Sequence, residues 1–249
     1  MTDLSLTGFA HALPERIVTN AELAAEFAVE ASWIRDVSGI EERRYAADGD
    51  TPATLAHRAA LLSLERAGLS PKDLGAIVVG SGSGPRRFPG ISASLQKLLG
   101  APGIPALDVP LASVGGLFAL ALAADLAPRY GPVLVVGSEV MSRVLAIPPR
   151  VKETAILFGD GAGSCIVLPS SGPHTLVDAR MASDGTYEDD LALPLDGALA
   201  MNGRQVILQA NRKLQAATTD LVSRSGLTLD DIGLFVFHQA NSNLLRQVA

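Results

Sequence analysis

Ser113 stands where a strand pattern gives way to a helix pattern, in the stretch IPALDVPLASVGGLFA (residues 104–119). Ile104–Val109 is short, apolar and bounded by proline, as a buried strand would be. Val114–Leu126 is rich in Ala and Leu and free of proline, as a buried helix would be. The hydroxyl therefore falls at a strand-to-helix turn beside a helix start. The first N–H groups of a helix have no partner within it, and the helix dipole favours negative charge there. A nucleophile at that place has amides ready to hold an oxyanion. Gly115 and Gly116 follow at once. Glycine weakens a helix, so a pair of them implies that backbone or ligand must approach closely. Serine is also a favoured helix N-cap, and on the local sequence that reading stands beside the chemical one.

A hydroxyl nucleophile needs a base. Of the four histidines, His57 lies inside the helical pattern ATLAHRAA, while His11 and His174 fall in predicted loops without acids or cysteine at metal-ligand spacing. His238 differs: it closes the apolar run LFVF and is followed by Gln-Ala-Asn. Cys165, the only cysteine, sits in the apolar run SCIVLP and reads as a small buried hydrophobe, and a single cysteine excludes an intramolecular disulfide. The run FGDGAG (residues 158–163) lacks the Lys-Ser/Thr of a phosphate-binding P-loop and joins two predicted strands, so it reads as a tight turn. GSGSG (residues 80–84) is too short to assign nucleotide binding, and YEDD (residues 187–190) reads as a solvated loop. Neither a metal nor a resident cofactor is expected.

The elements that must carry these residues follow from periodicity and caps. A first strand is predicted over Leu4–Ala10, and Asn20 reads as the N-cap of a short helix, AELAAEF. SWIRDVSGIEERRYA reads as a charged connecting segment carrying the only tryptophan, Trp33. Thr51 and Pro52 open a helix that stops at Gly68. AIVVGS (residues 76–81) and PVLVVGSE (residues 132–139) are buried strands, and ISASLQKLLG is a helix ending at Gly100. ETAILFGDGAGSCIVLP is predicted to be two strands broken by a turn. Apolar strands alternating with helices give an α/β protein with covered sheets.

An internal repeat sets the architecture. AGLSPKDLGAIVVG (residues 67–80) and SGLTLDDIGLFVFH (residues 225–238) share Gly-Leu, Ser/Thr, Asp, Leu/Ile, Gly and a strand run in one order. Duplication predicts two similar α/β halves, residues 1–168 and residues 169–249. It also puts His238 at the carboxyl end of its strand, where Gly80 lies in the first copy and where open α/β sheets bind ligands.

With 249 residues, 48% of them hydrophobic, the chain can bury a sizeable core. A net charge of −6 without a long basic run argues against nucleic acid or an anionic membrane surface as a partner. No apolar run reaches the ~20 residues of a spanning helix and no signal peptide is visible, so a soluble, cytoplasmic protein is expected.

Together these features resemble the ketoacyl-ACP synthase III family of the thiolase superfamily. The elements that carry the likeness are SWIRDVSGIEERR, FPGISASLQKLLG, ALDVPLASVGG, LVVGSEV, ILFGDGAG, SDGTYEDDLALP and FVFHQAN, running from Leu4 to the end of the chain. The resemblance implies two duplicated halves in five layers (αβαβα), the second of them, residues 169–249, incomplete, together with a homodimer and transfer of an acyl group from acyl-CoA onto an elbow nucleophile. Condensation with malonyl carried on acyl carrier protein follows in that family, in fatty acid or polyketide priming. Acyl-CoA is then a substrate, with no cofactor implied. Carried over by motif, the nucleophile falls on Ser113 and the catalytic histidine on His238. Trp33 matches the tryptophan that stacks on the CoA adenine, and Lys152 falls where the family has an arginine near the CoA phosphates. Asn241 matches the asparagine beside the pantetheine tunnel, and Phe88 the phenylalanine that bounds the acyl pocket across the dimer. Val37 stands where the family has a second CoA-contacting arginine, which implies weaker CoA binding or a different donor.

Two departures bear on the chemistry. The family nucleophile is a cysteine, and an alcohol is far less acidic than a thiol, so the dipole alone cannot ionise Ser113. His238 is the candidate base, and an acyl-serine ester is expected to favour acyl transfer or hydrolysis over condensation. The family continues past HQAN with a segment whose asparagine pairs with the histidine and a glycine-rich loop that completes the oxyanion hole. Either this chain is a fragment of a longer product that carries them, or decarboxylative condensation is expected to be lost. Two rival functions follow: a catalytically silent subunit that partners an active condensing enzyme, and a thioesterase or decarboxylase that uses the same pocket.

Overall fold

The structure, a computed structural model, describes residues 3–195 and 197–248. In chain order its strands and α-helices are β1 (Ser5–Ala12), β2 (Arg16–Thr19), α1 (Asn20–Phe27), α2 (Ala31–Ser38), β3 (Glu42–Tyr45), α3 (Pro52–Ala67), β4 (Ala76–Gly80), α4 (Ile91–Leu99), β5 (Ala106–Val109), α5 (Gly115–Tyr130), β6 (Val133–Val140), α6 (Met141–Val144), α7 (Lys152–Ala155), β7 (Asp160–Leu168), β8 (Leu191–Ala192), β9 (Ala200–Met201), α8 (Gly203–Arg224) and α9 (Ser242–Val248). The chain forms two compact units: Met1–Arg16, Arg44–Val140 and Gly159–Met181 make one, and Ile17–Arg43, Met141–Phe158 and Ala182–Ala249 the other.

The first unit is built on a five-stranded mixed sheet of order β1-β7-β6-β4-β5. β4 runs parallel to β5 and β6, while β7 is antiparallel to β6 and β1. The period-2 alternation of β4 decides what covers the sheet. Ile77 and Val79 face a cluster with Ala56, Ala60, Leu64, Leu95 and Leu99 of α3 and α4. Ala76 and Val78 face Ala119, Ala123 and Ala127 of α5, together with Cys165. All five residues of β4 are buried, as expected for a strand covered on both faces. Burial of each Val or Ile contributes about 1.5–3 kcal/mol, which places the core of the unit on this sheet. α3 starts and stops as the sequence predicts: Thr51 accepts from the Thr54 amide, Pro52 opens the helix, and Gly68 closes it at φ +67°. α5 runs past the predicted Leu126 to Tyr130, through Pro128.

Several expectations are corrected. β5 is an edge strand in which only Val109 is buried, so proline-bounded apolarity did not mean full burial. The cap of α1 is Thr19, whose side chain accepts from the Glu22 amide. Asn20 is buried instead, donating to Ile40 O at 2.7 Å and accepting from Arg43 at 2.8 Å, a tertiary use that outweighs its capping propensity. The charged segment around Trp33 is no mere connector: it forms α2 and β3. His11 lies in β1, paired with Gly163, not in a loop. ETAIL is not a strand, because Lys152–Ala155 is a helical turn. The glycine-rich run that follows opens the single strand β7 in place of a turn. Gly163 pairs with Gly137, and of the glycines here Gly161 marks a close approach: a Cβ on it would lie 3.0 Å from the Leu13 side chain.

The repeat is visible hydrogen bond by hydrogen bond. In the first copy Gly68 (φ +67°) is followed by Ser70, whose amide donates to Asp73 at 2.8 Å and whose hydroxyl donates at 2.6 Å. In the second copy Gly226 (φ +72°) is followed by Thr228, which makes the same two bonds to Asp231 at 2.8 and 2.7 Å. In both copies these bonds hold the aspartate below the usual carboxylate pKa. The copies diverge at the strand. β4 sits in the sheet, whereas the predicted strand ending at His238 has no ladder partner among the described residues. Leu234 and Val236 are accordingly exposed. No helix among the described residues is long and apolar enough to cross a membrane.

Candidate active site

The turn between β5 and α5 carries Ser113 with φ +59°; Ala28, which ends α1, is the other non-glycine residue with positive φ among the described residues. A left-handed conformation costs an L-residue about 1–2 kcal/mol and persists only where the surroundings impose it. Ser113 is not the N-cap: that place belongs to Val114, which makes no side-chain cap bond. The hydroxyl is thus left free of a capping duty, on an exposed residue two positions before the first turn of a 16-residue helix.

What imposes the turn is close backbone packing. Gly80 ends β4 against the first residue of α5: a Cβ on Gly80 would overlap the Gly115 carbonyl group and lie 2.7 Å from the Gly116 nitrogen. The predicted close approach at the glycine pair is therefore met at Gly115 by backbone, while Gly116 has open space where a side chain would be. The Ser81 amide donates to Val109 O at 3.0 Å, joining the loop after β4 to the end of β5.

The glycine-rich run GSGSG belongs to this construction. Its donors turn inward onto Glu139, near the end of β6: the Gly82 amide donates at 2.7 Å, Ser81 Oγ at 3.3 Å, and Ser83 Oγ also donates. Ser83 Oγ in turn accepts from the Val140 amide at 2.9 Å. Burial raises the pKa of the Glu139 carboxyl, and the Ser83, Gly82 and Ser81 bonds oppose that rise. With its amide and hydroxyls committed to a carboxylate, the loop is unsuited to cradle phosphate. Sequence reasoning missed Glu139, because a carboxylate at the tip of an apolar strand reads as solvent-facing.

In the other unit, Trp33 of α2 and Lys152 of α7 meet, with Nζ 5.3 Å from the indole centroid. Asn241 is fixed against the same helix: its Nδ2 donates to Val37 O at 2.9 Å, one turn after Trp33. Its Oδ1 accepts from the amides of Asn243 (2.8 Å) and Leu244 (3.3 Å), which caps α9. Asn243 adds a bond to Asp36 O at 3.1 Å. Three of the predicted residues are thereby gathered around α2. His238 is an exposed residue whose imidazole is still sufficiently desolvated to lower its pKa below the usual histidine value. Phe88 lies in the first unit with 84% of its surface exposed.

The chain is similar to known proteins over nearly its whole length. Residues 107–185, which include the Ser113 turn and Glu139, match the profile of 3-oxoacyl-[acyl-carrier-protein] synthase III. The chain is 35% identical over 246 residues to beta-ketoacyl-[acyl-carrier-protein] synthase III of Staphylococcus aureus strain Newman, covering 98% of this chain and 78% of that protein. The crystal structure of 3-oxoacyl-[acyl-carrier-protein] synthase III from Aquifex aeolicus VF5 superposes with a TM-score of 0.92 at 30% identity, over 99% of this chain and 80% of that one. The priming beta-ketosynthase of the R1128 polyketide biosynthetic pathway superposes with a TM-score of 0.88 at 29% identity, over 98% of this chain and 77% of that one.

Proposed function

The chain belongs to the ketoacyl-ACP synthase III family of thiolase-like α/β enzymes, and from that membership we propose that it takes an acyl group from acyl-CoA onto Ser113. The acceptor that follows is a carrier-protein-bound group, in fatty acid or polyketide priming, as the names of its relatives suggest. The observation that carries this reading is the backbone of Ser113. A serine held at φ +59° between a strand and a helix, exposed and free of a capping role, has the placement of a nucleophile.

In the proposed step Ser113 Oγ attacks the thioester carbonyl carbon while His238 takes the hydroxyl proton. The carbonyl oxygen becomes an oxyanion, for which the first amides of α5, at Gly115 and Gly116, supply donors. Collapse breaks the C–S bond, and the CoA thiolate leaves with the proton from His238. Its lowered pKa keeps His238 neutral, and so able to accept that proton, at neutral pH. Trp33 and Lys152 offer an aromatic face and a cation to the adenine and phosphates of CoA. Asn241 lines the path of the pantetheine arm, and Phe88 bounds the acyl pocket in a homodimer.

The test is the intact mass of the purified protein before and after incubation with a panel of acyl-CoAs, with peptide mapping of any adduct. One acyl group on Ser113, absent in Ser113→Ala, is expected. Full-mass protein without an adduct would overturn the reading and favour a silent subunit that binds a condensing partner. Release of free acid or carbon dioxide without an acyl-enzyme would favour a thioesterase or decarboxylase.

A further inference from the structure

Glu139 is separated from the Ser113 turn by one layer of chain, the loop at residues 80–84. On one side this loop is bound by the carboxylate, through the Gly82 amide and the hydroxyls of Ser81 and Ser83. On the other it leans on the residue before Ser113: a Cβ on Gly82 would lie 2.9 Å from Ala112 Cβ, closer than side chains pack. Both serines are buried, so their hydroxyls have no water to turn to if the carboxylate is lost. The elbow itself contributes only short local bonds, Leu111 to Val109 O (2.8 Å) and Val114 to Ala112 O (2.6 Å). Those bonds do not fix where the turn sits relative to the sheet. The Gly80–Gly115 contact seats the helix start, and the loop seats the other side of the turn, because it is tied to β6 through Glu139 and to β5 through the Ser81 amide.

We propose that Glu139 is a positioning residue: through the 80–84 loop it holds Ala112 and Ser113 in the left-handed turn that presents the nucleophile at the start of α5. The proposal rests on the reading of Ser113 as acyl acceptor. The carboxylate accepts bonds from three donors at once, which a carboxamide cannot do. In Glu139→Gln one oxygen still accepts from Gly82, but the amide NH2 can only donate, so the Ser81 and Ser83 hydroxyls must turn from donors to acceptors, and Ser83 Oγ already accepts from the Val140 amide. Asp at 139 would leave the carboxylate short of the loop.

Two readouts separate this role from a general loss of stability and from failure of the acceptor reading. The first is the rate of the Ser113 adduct. Glu139→Gln is expected to lower the maximal rate about 10- to 100-fold, the cost of displacing a reacting group by about 1 Å. The acyl-CoA concentration at half-maximal rate should stay unchanged. The second needs no acyl chemistry. In a Ser113→Cys background the introduced thiol is alkylated with iodoacetamide across pH. Its apparent pKa is expected to rise by about one unit on adding Glu139→Gln, toward the ~8.5 of a free thiol, as the sulfur leaves the helix start. Cys165 is the internal control for folding, since it is buried with its pKa pushed up to about 11 and reacts only on unfolding. If Glu139→Gln unfolds, Ser83→Ala removes one of the three donors and is expected to give the same shifts at smaller size. An unchanged alkylation profile in folded Glu139→Gln or Ser83→Ala overturns the proposal. A shifted profile alongside wild-type protein that forms no acyl adduct upholds Glu139 and overturns the acceptor reading alone.

Discussion

Gly80, the last residue of β4, and Gly115, the first of α5, meet backbone to backbone with no space for a methyl group between them. This contact brings the helix start down onto the sheet end, which is what allows a serine two residues earlier to sit in a tight, exposed turn. The small residues that follow at four-residue spacing, Ala119, Ala123 and Ala127, keep the helix close along its length.

Gly80→Ala should therefore destabilise the protein by about 1–3 kcal/mol, the usual cost of overpacking a filled site. It should also reduce acylation of Ser113 beyond what the lost stability explains, because the helix start must retreat. Denaturant titration and adduct formation on the same preparation check both. A variant as stable as the parent would show that the contact has more slack than the geometry implies.

The backbone of Ser113 makes a separable prediction. Glycine accepts φ +59° without penalty, whereas a β-branched side chain does so poorly. Ser113→Gly should match or exceed the parent in stability, by up to about 1 kcal/mol, while losing the acyl adduct entirely. Ser113→Val should lose both. Opposite signs on stability, with the same loss of chemistry, would mark Ser113 as a residue kept for function at the expense of the fold.

Much of the fold around this turn was legible in the sequence, and the reasons differ by residue. The caps at Thr51 and Gly68 and the alternation of β4 are local, and local chemistry decided them. Gly115 announced a close approach because glycine is disfavoured there for any other purpose. Glu139 stayed hidden since its meaning lies in the register, which brings the end of β6 beside the end of β4, where Gly137 pairs with Gly80. Thr19 and Asn20 are both good caps, and only the burial of Asn20 against Arg43 decides between them. The strand predicted to end at His238 has the apolar composition of β4 but no ladder among the described residues, and composition cannot supply a neighbour.

The Trp33–Lys152 pair yields a binding prediction. With Nζ 5.3 Å from the indole centroid, the ammonium is held at the ring by an attraction of about 0.5–1 kcal/mol. Lys152→Ala and Trp33→Ala should each raise the acyl-CoA concentration needed for half-maximal adduct formation, with little change in the maximal rate. Because the pair acts as a unit, the double variant should cost less than the sum of the two singles. Simple additivity would mean that the two residues serve different parts of the donor, or none.

The pH dependence of acylation tests His238 directly. Desolvation lowers its pKa, so the folded protein binds its proton less readily than the unfolded chain, whose histidine titrates near 6.5. Two consequences have fixed signs. As a base His238 must be neutral, so adduct formation should be level above pH 6.5 and fall on the acid side with a midpoint below that value. Stability should move with it: above pH 6.5 both states are neutral at this site and it contributes nothing. As the pH falls from 6.5 through the lower folded pKa, the unfolded state takes up the proton first and the folded state is disfavoured. His238→Gln should remove this increment of acid sensitivity, leaving a variant less dependent on pH between 6.5 and the folded midpoint and without acylation activity. An acid limb centred at or above 6.5, or one that survives in His238→Gln, would assign the base to another group.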